Sequence, residues 1–378
     1  MIDTSRGINW VPATFLIIYQ ALIITALPFY LYYGSPTWTM VGVSVLLLYI
    51  TGISITAGYH RFYSHRAYKT NKWVEGVLLF FGSMSAQGSA LRWSYDHRIH
   101  HAHVDTDDDP YSIQKGFWYA HCLWILEKPR TIDSKVVPDL LKNPMVTFQH
   151  RYYGLTMVLS NIIGFLFVGW LFNDYLGAFV LSLWTRMFFL HHFTWFINSL
   201  AHTWGDKPFC QEQSAVDNYL ISLLTFGEGY HNYHHTFAND YRNGIRWYHF
   251  DPTKWVIWTL NKLGLATGLK RMDPYAIQKR MVMERKDLLM DRVRELWYVK
   301  RDELEVRINE LSDQMVEKMN EFRKLKEEYL LSKKNRNEPD LVKNLKLELK
   351  NLKRSLKHDW KVWSRLSKTI LHMRPLPV

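Results

Sequence analysis

A chain of 378 residues is too long for a disulfide-stapled mini-domain and long enough for one large domain with an appendage. The net charge of +12 is unevenly spread: up to Tyr275 there are 21 Lys+Arg against 18 Asp+Glu, and from Ala276 to Val378 there are 26 against 17. Two cysteines, Cys122 and Cys210, exclude both a disulfide framework and a four-thiolate zinc site.

In chain order, residues 15–33 and 38–57 are apolar runs joined by Gly34-Ser35-Pro36-Thr37, each close to the ~20 residues a helix needs to cross a bilayer. A second pair, 154–172 and 176–197, is joined by Asn173-Asp174-Tyr175. Both connections are short and lack Lys and Arg. The segments that follow the pairs carry Arg61, Arg66, Lys69 and Lys72, then Lys207, Arg242 and Arg246, which places them and the termini on the cytoplasmic side. The pairing with a second span argues against a cleaved signal peptide for the first run. Trp73 to Leu91 is also apolar, but Glu75, Gln87 and three glycines interrupt it. It is expected to dip into the membrane without crossing.

The expected domains are 1–275, a membrane domain, and 276–378, a basic tail. In the tail Leu304, Ile308, Leu311, Met315, Lys318, Phe322, Leu325 and Tyr329 alternate spacings of four and three, with one flaw at Lys318. After a polar break from Ser332 to Pro339, the series Val342, Leu345, Leu349, Leu352, Leu356, Asp359, Trp363, Leu366 and Ile370 repeats the alternation. This pattern predicts a coiled-coil helical hairpin that folds on itself or zips with a second copy. A membrane-anchored scaffold whose basic tail binds nucleic acid or anionic lipid is a further non-enzyme reading; charges alternate along the tail and stacking aromatics are not clustered, so nucleic acid is not an expected partner, while lipid headgroup contact stays open.

Of 17 histidines, nine lie in short-spaced groups or at a span end: His60 and His65; His97, His100 and His101; His202; and His231, His234 and His235. On a helix, residues four apart share a face, so His97 with His101, His231 with His235, and Asn198 with His202 can converge. Neutral imidazole ligates iron, copper, zinc or nickel, and nine imidazoles exceed one ion's capacity, so two metals are the economical reading. All nine share one side of the membrane if 73–91 does not cross. Glu228-Gly229-Tyr230-His231 has the Glu-x-x-His form of carboxylate di-iron proteins, but it occurs once. Asp105-Thr106-Asp107-Asp108-Asp109 reads as a solvated acidic loop, because Pro110 stands where a calcium loop needs Gly.

From about Thr51 to Tyr275 the sequence resembles the membrane-bound fatty-acid desaturases, specifically the Δ9 (stearoyl-CoA-type) acyl-CoA desaturase family. The resemblance rests on the three histidine boxes, Asp107-Asp108-Asp109-Pro110-Tyr111, Gly116-Phe117-Trp118-Tyr119-Ala120-His121, Asn198-Ser199-Leu200-Ala201-His202 and Phe226-Gly227-Glu228-Gly229-Tyr230-His231. It implies an all-α integral membrane protein with four transmembrane helices under a cytosolic helical cap. It also implies two irons held by the nine histidines, with Asn198 contributing through a water, and no catalytic residue beyond these ligands. O₂ would be the co-substrate, and the product a cis double bond at the Δ9 position of an acyl thioester, most simply acyl-CoA. Substrate contacts are expected from Trp195, Asp96, Gln87 and Trp93. An unactivated C–H bond needs an oxidant stronger than any side chain, so metal and O₂ carry the hard step while an apolar tunnel fixes the chain and excludes water.

The sequence departs from the animal enzymes in Tyr95-Asp96, which keeps only the Asp of their Arg-Asp pair, and in Gly88 after Gln87 and in Glu127. Acyl-lipid and acyl-carrier-protein esters therefore stay open. The tail has no His-Pro-Gly-Gly haem motif, so electrons are expected in trans from cytochrome b5 or a ferredoxin, with basic residues steering an acidic donor. His191 and His192 are expected to line the pocket without ligating metal. The expected location is the endoplasmic reticulum in a eukaryote or the inner membrane in a prokaryote, with membrane lipid around the spans and homo-oligomers through the tail. A lipid hydroxylase on the same site is the alternative enzyme. A membrane metal transporter is the non-enzyme alternative, but it would place ligands near the bilayer midplane.

Overall fold

The computed structural model describes residues 7–296, 299–335 and 338–373 and falls into two compact units: Met1–Lys207 with Glu212–Arg271, and Pro208–Gln211 with Met272–Val378.

In the first unit, α1 (Trp10–Tyr33), α2 (Trp38–Ser64) and α5 (Tyr153–Phe172) are each long and apolar enough to cross a bilayer. Ile17, Ile24 and Phe29 on α1, and Ile163, Phe167 and Trp170 on α5, are exposed, as a lipid-facing surface requires. Two boundaries differ from expectation: α1 begins at Trp10 rather than residue 15, and α2 runs to Ser64 rather than stopping at 57. The second extension matters, because the stretch Ser54–Ser64 carries His60 in wide turns that hydrogen-bond five residues apart. Thr37 caps α2 by accepting from the Met40 N–H. A fourth helical run starts at Tyr175–Gly177, widens over Ala178–Thr185 and ends as α6 (Arg186–Asn198). Asn173, at φ +51°, closes the turn before it, and Asp174 accepts from Tyr30 Oη on α1 at 2.6 Å. The buried Arg186 donates to Asn161 Oδ1 at 2.6 Å and so ties α6 to α5.

Between the apolar pairs lie α3 (Lys72–Met84) and α4 (Ala90–Ala102), capped by Asn71 and Ser89. At 1.5 Å per residue, α3 spans about 20 Å, too short for a hydrocarbon core of about 30 Å. The short helix α7 (His231–Thr236) follows the fourth run. Among the described residues the expectation of an all-α fold meets a small exception, in which Lys69–Thr70 pairs antiparallel with Ala266–Thr267.

The second unit is built from α8 (Pro274–Glu295), α9 (Arg301–Lys334) and α10 (Pro339–His372). Residues 336 and 337 of the expected polar break lie outside the described residues. The seam residues Ile308, Met315 and Phe322 pack with Leu356, Trp363, Leu366 and Ile370, and α8 adds Val282, Leu289 and Val293 to the same core. This third helix was not foreseen, because its apolar residues do not keep a heptad alternation. The flaw at Lys318 meets the polar seam residue Asp359, with Nζ to Oδ2 at 2.6 Å.

Candidate metal centre

The nine histidines gather into two groups. His60, His65, His97, His101 and His234 form one, and His100, His202, His231 and His235 form the other, with ligand atoms in each group within 4.8 Å of one another. Local geometry explains the sorting. His60 and His65 are five apart and would diverge on an α-helix, but the bond from His65 N–H to His60 O (3.1 Å) keeps the wide-turn pattern and brings the rings edge to face, centroids 4.8 Å apart. On α4, residues four apart send His97 and His101 to the first group, and His100 points to the second. α7 does the reverse, sending His231 and His235 to the second group and His234 to the first. Asn198 ends α6 and His202 closes a separate tight turn, so the two do not share an α-helical face as the spacing had suggested.

The Nε2 atoms converge: His60 with His234 at 3.0 Å, His65 with His97 at 2.8 Å, His101 with His234 at 3.0 Å, His231 with His235 at 3.0 Å, and His100 with His235 at 3.3 Å. On the outer side, several Nδ1 atoms are held. His60 Nδ1 donates to Glu228 Oε2 at 2.9 Å, and His100 Nδ1 donates to Asp109 Oδ1 at 2.9 Å. The Tyr111 hydroxyl lies 3.2 Å from His97 Nδ1. His202 Nδ1 contacts Ser214 Oγ at 2.7 Å, whose own hydroxyl donates to Asp105. A proton fixed on Nδ1 leaves the Nε2 lone pair free, which is the tautomer a metal needs. Burial, followed by the neighbouring imidazoles, pushes His65, His97, His101, His231, His234 and His235 well below the ordinary histidine value, and His202 down to about 3. They are therefore neutral imidazoles, the form that can ligate a metal. His202 Nε2 is buried with no hydrogen-bond partner, which a metal would supply. The donor set fits two transition-metal ions.

The outer partners were the part that sequence reasoning missed. Glu228 is a support for His60, and it also accepts from Arg61 (2.8 Å) and Asn243 (2.5 Å). Burial alone would raise its pKa, but Arg61 and then His60 overcome this and hold it down at about 2. Reading 105–109 as a solvated loop is correct for Thr106, Asp107 and Asp108; Asp109 is 1% exposed because it faces His100, and Asp105 is partly buried on Ser214. The signal was present in the Glu-x-x-His motif, which was read as rival ligation, and in Asp109-Pro110-Tyr111, whose Asp was read as part of a solvated acidic loop. Two glycines shape the Glu228 segment. Gly227 has φ +100°, and a Cβ on Gly229 would strike the Ser222 backbone.

Gln87, Trp93, Asp96, Trp195 and Asn198 all line one mainly apolar cavity, with His60, His97, His100 and His231 in its wall. Trp93 stacks on His97, centroids 5.0 Å apart, and Gln87 Nε2 donates to Thr194 Oγ1 at 3.0 Å. Burial, partly offset by Arg92, raises Asp96 to about 6. His191 lines the cavity, bonded to Tyr19 Oη (3.0 Å) and Ser85 O (2.9 Å), whereas His192 contacts His121 Nε2 at 3.1 Å. A second cavity, a vestibule that shares Gln87, Arg92, Asp96 and Trp124 with the first, carries Lys128 and Arg130.

The chain is 42% identical over 291 residues to a probable acyl-CoA desaturase of Schizosaccharomyces pombe, covering 75% of this chain and 59% of that protein. It is 41% identical over 244 residues to acyl-CoA desaturase 1 of Saccharomyces cerevisiae, covering 64% and 48%. It thus spans roughly half the length of these two relatives. An sn-2 palmitoyl-lipid 9-desaturase of Nostoc is 36% identical over 277 residues, covering 71% of this chain and 93% of that protein. The family model for fatty acid desaturases matches residues 36–267, and with these relatives it establishes that the chain belongs to the fatty acid desaturase family.

Proposed function

We propose that the chain is an O₂-dependent acyl desaturase that inserts a cis Δ9 double bond into a saturated acyl-CoA, with two irons as its metals. The observation that carries this reading is an apolar cavity walled by members of both histidine groups. His60, His65, His97, His101 and His234 would hold one iron, and His100, His202, His231 and His235 the other, with Asn198 contributing through a water. Bound iron supplies the oxidising power for C–H cleavage when O₂ and two external electrons arrive. The chain's own residues position the substrate. Leu16, Ile55 and Ile125 give the acyl chain apolar walls and exclude water, while Trp93 and Trp195 pack beside the imidazoles that face it. Arg92, Lys128 and Arg130 in the vestibule suit the phosphates of a CoA group. These cations favour acyl-CoA over the lipid esters named for the Nostoc relative.

In this reading the run ending in α6 is a fourth crossing, α3 lies at the membrane surface, the termini are cytoplasmic, and the membrane is the endoplasmic reticulum in a eukaryote or the inner membrane in a prokaryote. Residues 1–275 form the desaturase domain, and 276–378 a coiled-coil tail through which copies assemble. Electrons come from a separate donor of cytochrome b5 or ferredoxin type. Expression in a host that lacks its own Δ9 desaturase tests the proposal. A double bond between carbons 9 and 10 of host acyl chains is expected, and a hydroxylated product or no product refutes it.

A further inference from the structure

The excess charge of the tail is gathered on one helix face, so the expected alternation of charge describes α9 but not α10. α9 mixes the signs, with eight Lys+Arg and nine Asp+Glu, whereas α10 carries nine Lys+Arg and only three acids. The nine are Lys343, Lys346, Lys350, Lys353, Arg354, Lys357, Lys361, Arg365 and Lys368, and every one is exposed. At 3.6 residues per turn they fall within an arc of about 120° along about 38 Å of helix. Asp340, Glu348 and Asp359 lie outside that arc, and Asp359 is turned inward to Lys318. None of the nine forms an ion pair among the described residues. Successive cations on such a stripe are about 5–6 Å apart, inside the Debye length of about 8 Å, so they repel one another and an anionic partner relieves the repulsion.

We propose that this face of α10 docks on the anionic headgroups of a phospholipid surface. The row is straight and one-sided, as contact with a plane requires, and no aromatic ring stands within it to stack on nucleic-acid bases. The opposite side of the helix is already occupied, since Leu356, Trp363, Leu366 and Ile370 are buried in the core of the tail. Contact is therefore electrostatic, without the insertion that an amphipathic membrane helix achieves with a free apolar face. The same chain carries the membrane-crossing helices α1, α2 and α5, so a bilayer is always within tethered reach and the effective headgroup concentration is high. This inference does not depend on the catalytic reading.

The test uses the full chain in nanodiscs of phosphatidylcholine alone or of a three-to-one mixture with phosphatidylserine. Acetylation rates of individual lysines are read by mass spectrometry. On the anionic discs Lys346, Lys350, Lys357 and Lys361 should react about fivefold more slowly, with recovery in high salt, while Lys324 and Lys333 on α9 are unchanged. A variant with Lys346→Glu, Lys350→Glu, Lys357→Glu and Lys361→Glu should lose the lipid-dependent protection of Lys343, Lys353 and Lys368 and keep its metal content. Equal rates on the two discs would overturn the proposal. So would protection that arises only when a soluble acidic protein or a polynucleotide is added to neutral discs. Neither outcome requires the variant to fold.

Discussion

Replacing Glu228 by Gln changes one atom and removes one buried charge. Glu228 is 1% exposed and serves three partners: His60 Nδ1 at 2.9 Å, the Arg61 guanidinium at 2.8 Å and Asn243 Nδ2 at 2.5 Å. Arg61 keeps Asp251 at 3.0 Å, so the guanidinium is not stranded. Loss of one partner from a buried pair costs about 3–5 kcal/mol, and the surviving carboxylate brings the expected loss down to about 2–3 kcal/mol. The effect on metal is separate. Without the carboxylate the proton on His60 Nδ1 is no longer fixed, and loss of such an outer partner weakens metal binding about 10–100-fold. Asn243→Ala removes a hydrogen bond to the same carboxylate without touching His60, and should cost about 1 kcal/mol of stability with little change in metal affinity. Thermal unfolding in detergent and iron titration followed by elemental analysis measure the two quantities. If Glu228→Gln binds iron with native affinity while only its stability falls, Glu228 is a structural ion-pair partner and not a support for the ligand.

Other substitutions probe other parts of the account. His97→Ala with His101→Ala should empty the five-histidine group, lower the iron content and abolish double-bond formation, as elemental analysis and product mass spectrometry would show. Gly229→Ala should destabilise by about 1–3 kcal/mol because the new Cβ meets backbone rather than a movable side chain, visible as a lowered Tm. Asp139 accepts from Arg98 at 2.8 Å and 2.9 Å, and from Arg66 at 2.9 Å. Burial alone would raise its pKa, but the arginines hold it well below the ordinary carboxylate value of 3.8. Its contribution is therefore full above that value and lost as pH falls below it. Asp139→Asn should cost about 1–2 kcal/mol at neutral pH, and the gap to the native chain should shrink on acidification. A gap that is constant with pH would contradict the ion-pair assignment.

Three of the four expected spans and the histidine boxes were legible because their patterns are local. The pairing of His97 with His101 and of His231 with His235 follows from helical spacing alone. What the sequence did not display was the wide-turn geometry at Ser54–Ser64, where a five-residue spacing works only because the turn is not α-helical. Nor did it display which histidine joins which group, since α4 and α7 split their boxes in opposite senses and only tertiary packing decides this. Asp109 and Glu228 looked like surface charge and rival ligand because their partners, at His100 and His60, are 9 and 168 residues away. In the tail, the Lys318 and Asp359 flaws became intelligible only as a pair across two helices.

The central claim is that nine imidazoles, sorted five and four, hold two irons. Counting iron per polypeptide in the folded, purified full chain, prepared with ample iron, tests it most directly. The account predicts two irons per chain; a folded chain that retains one or none would contradict it.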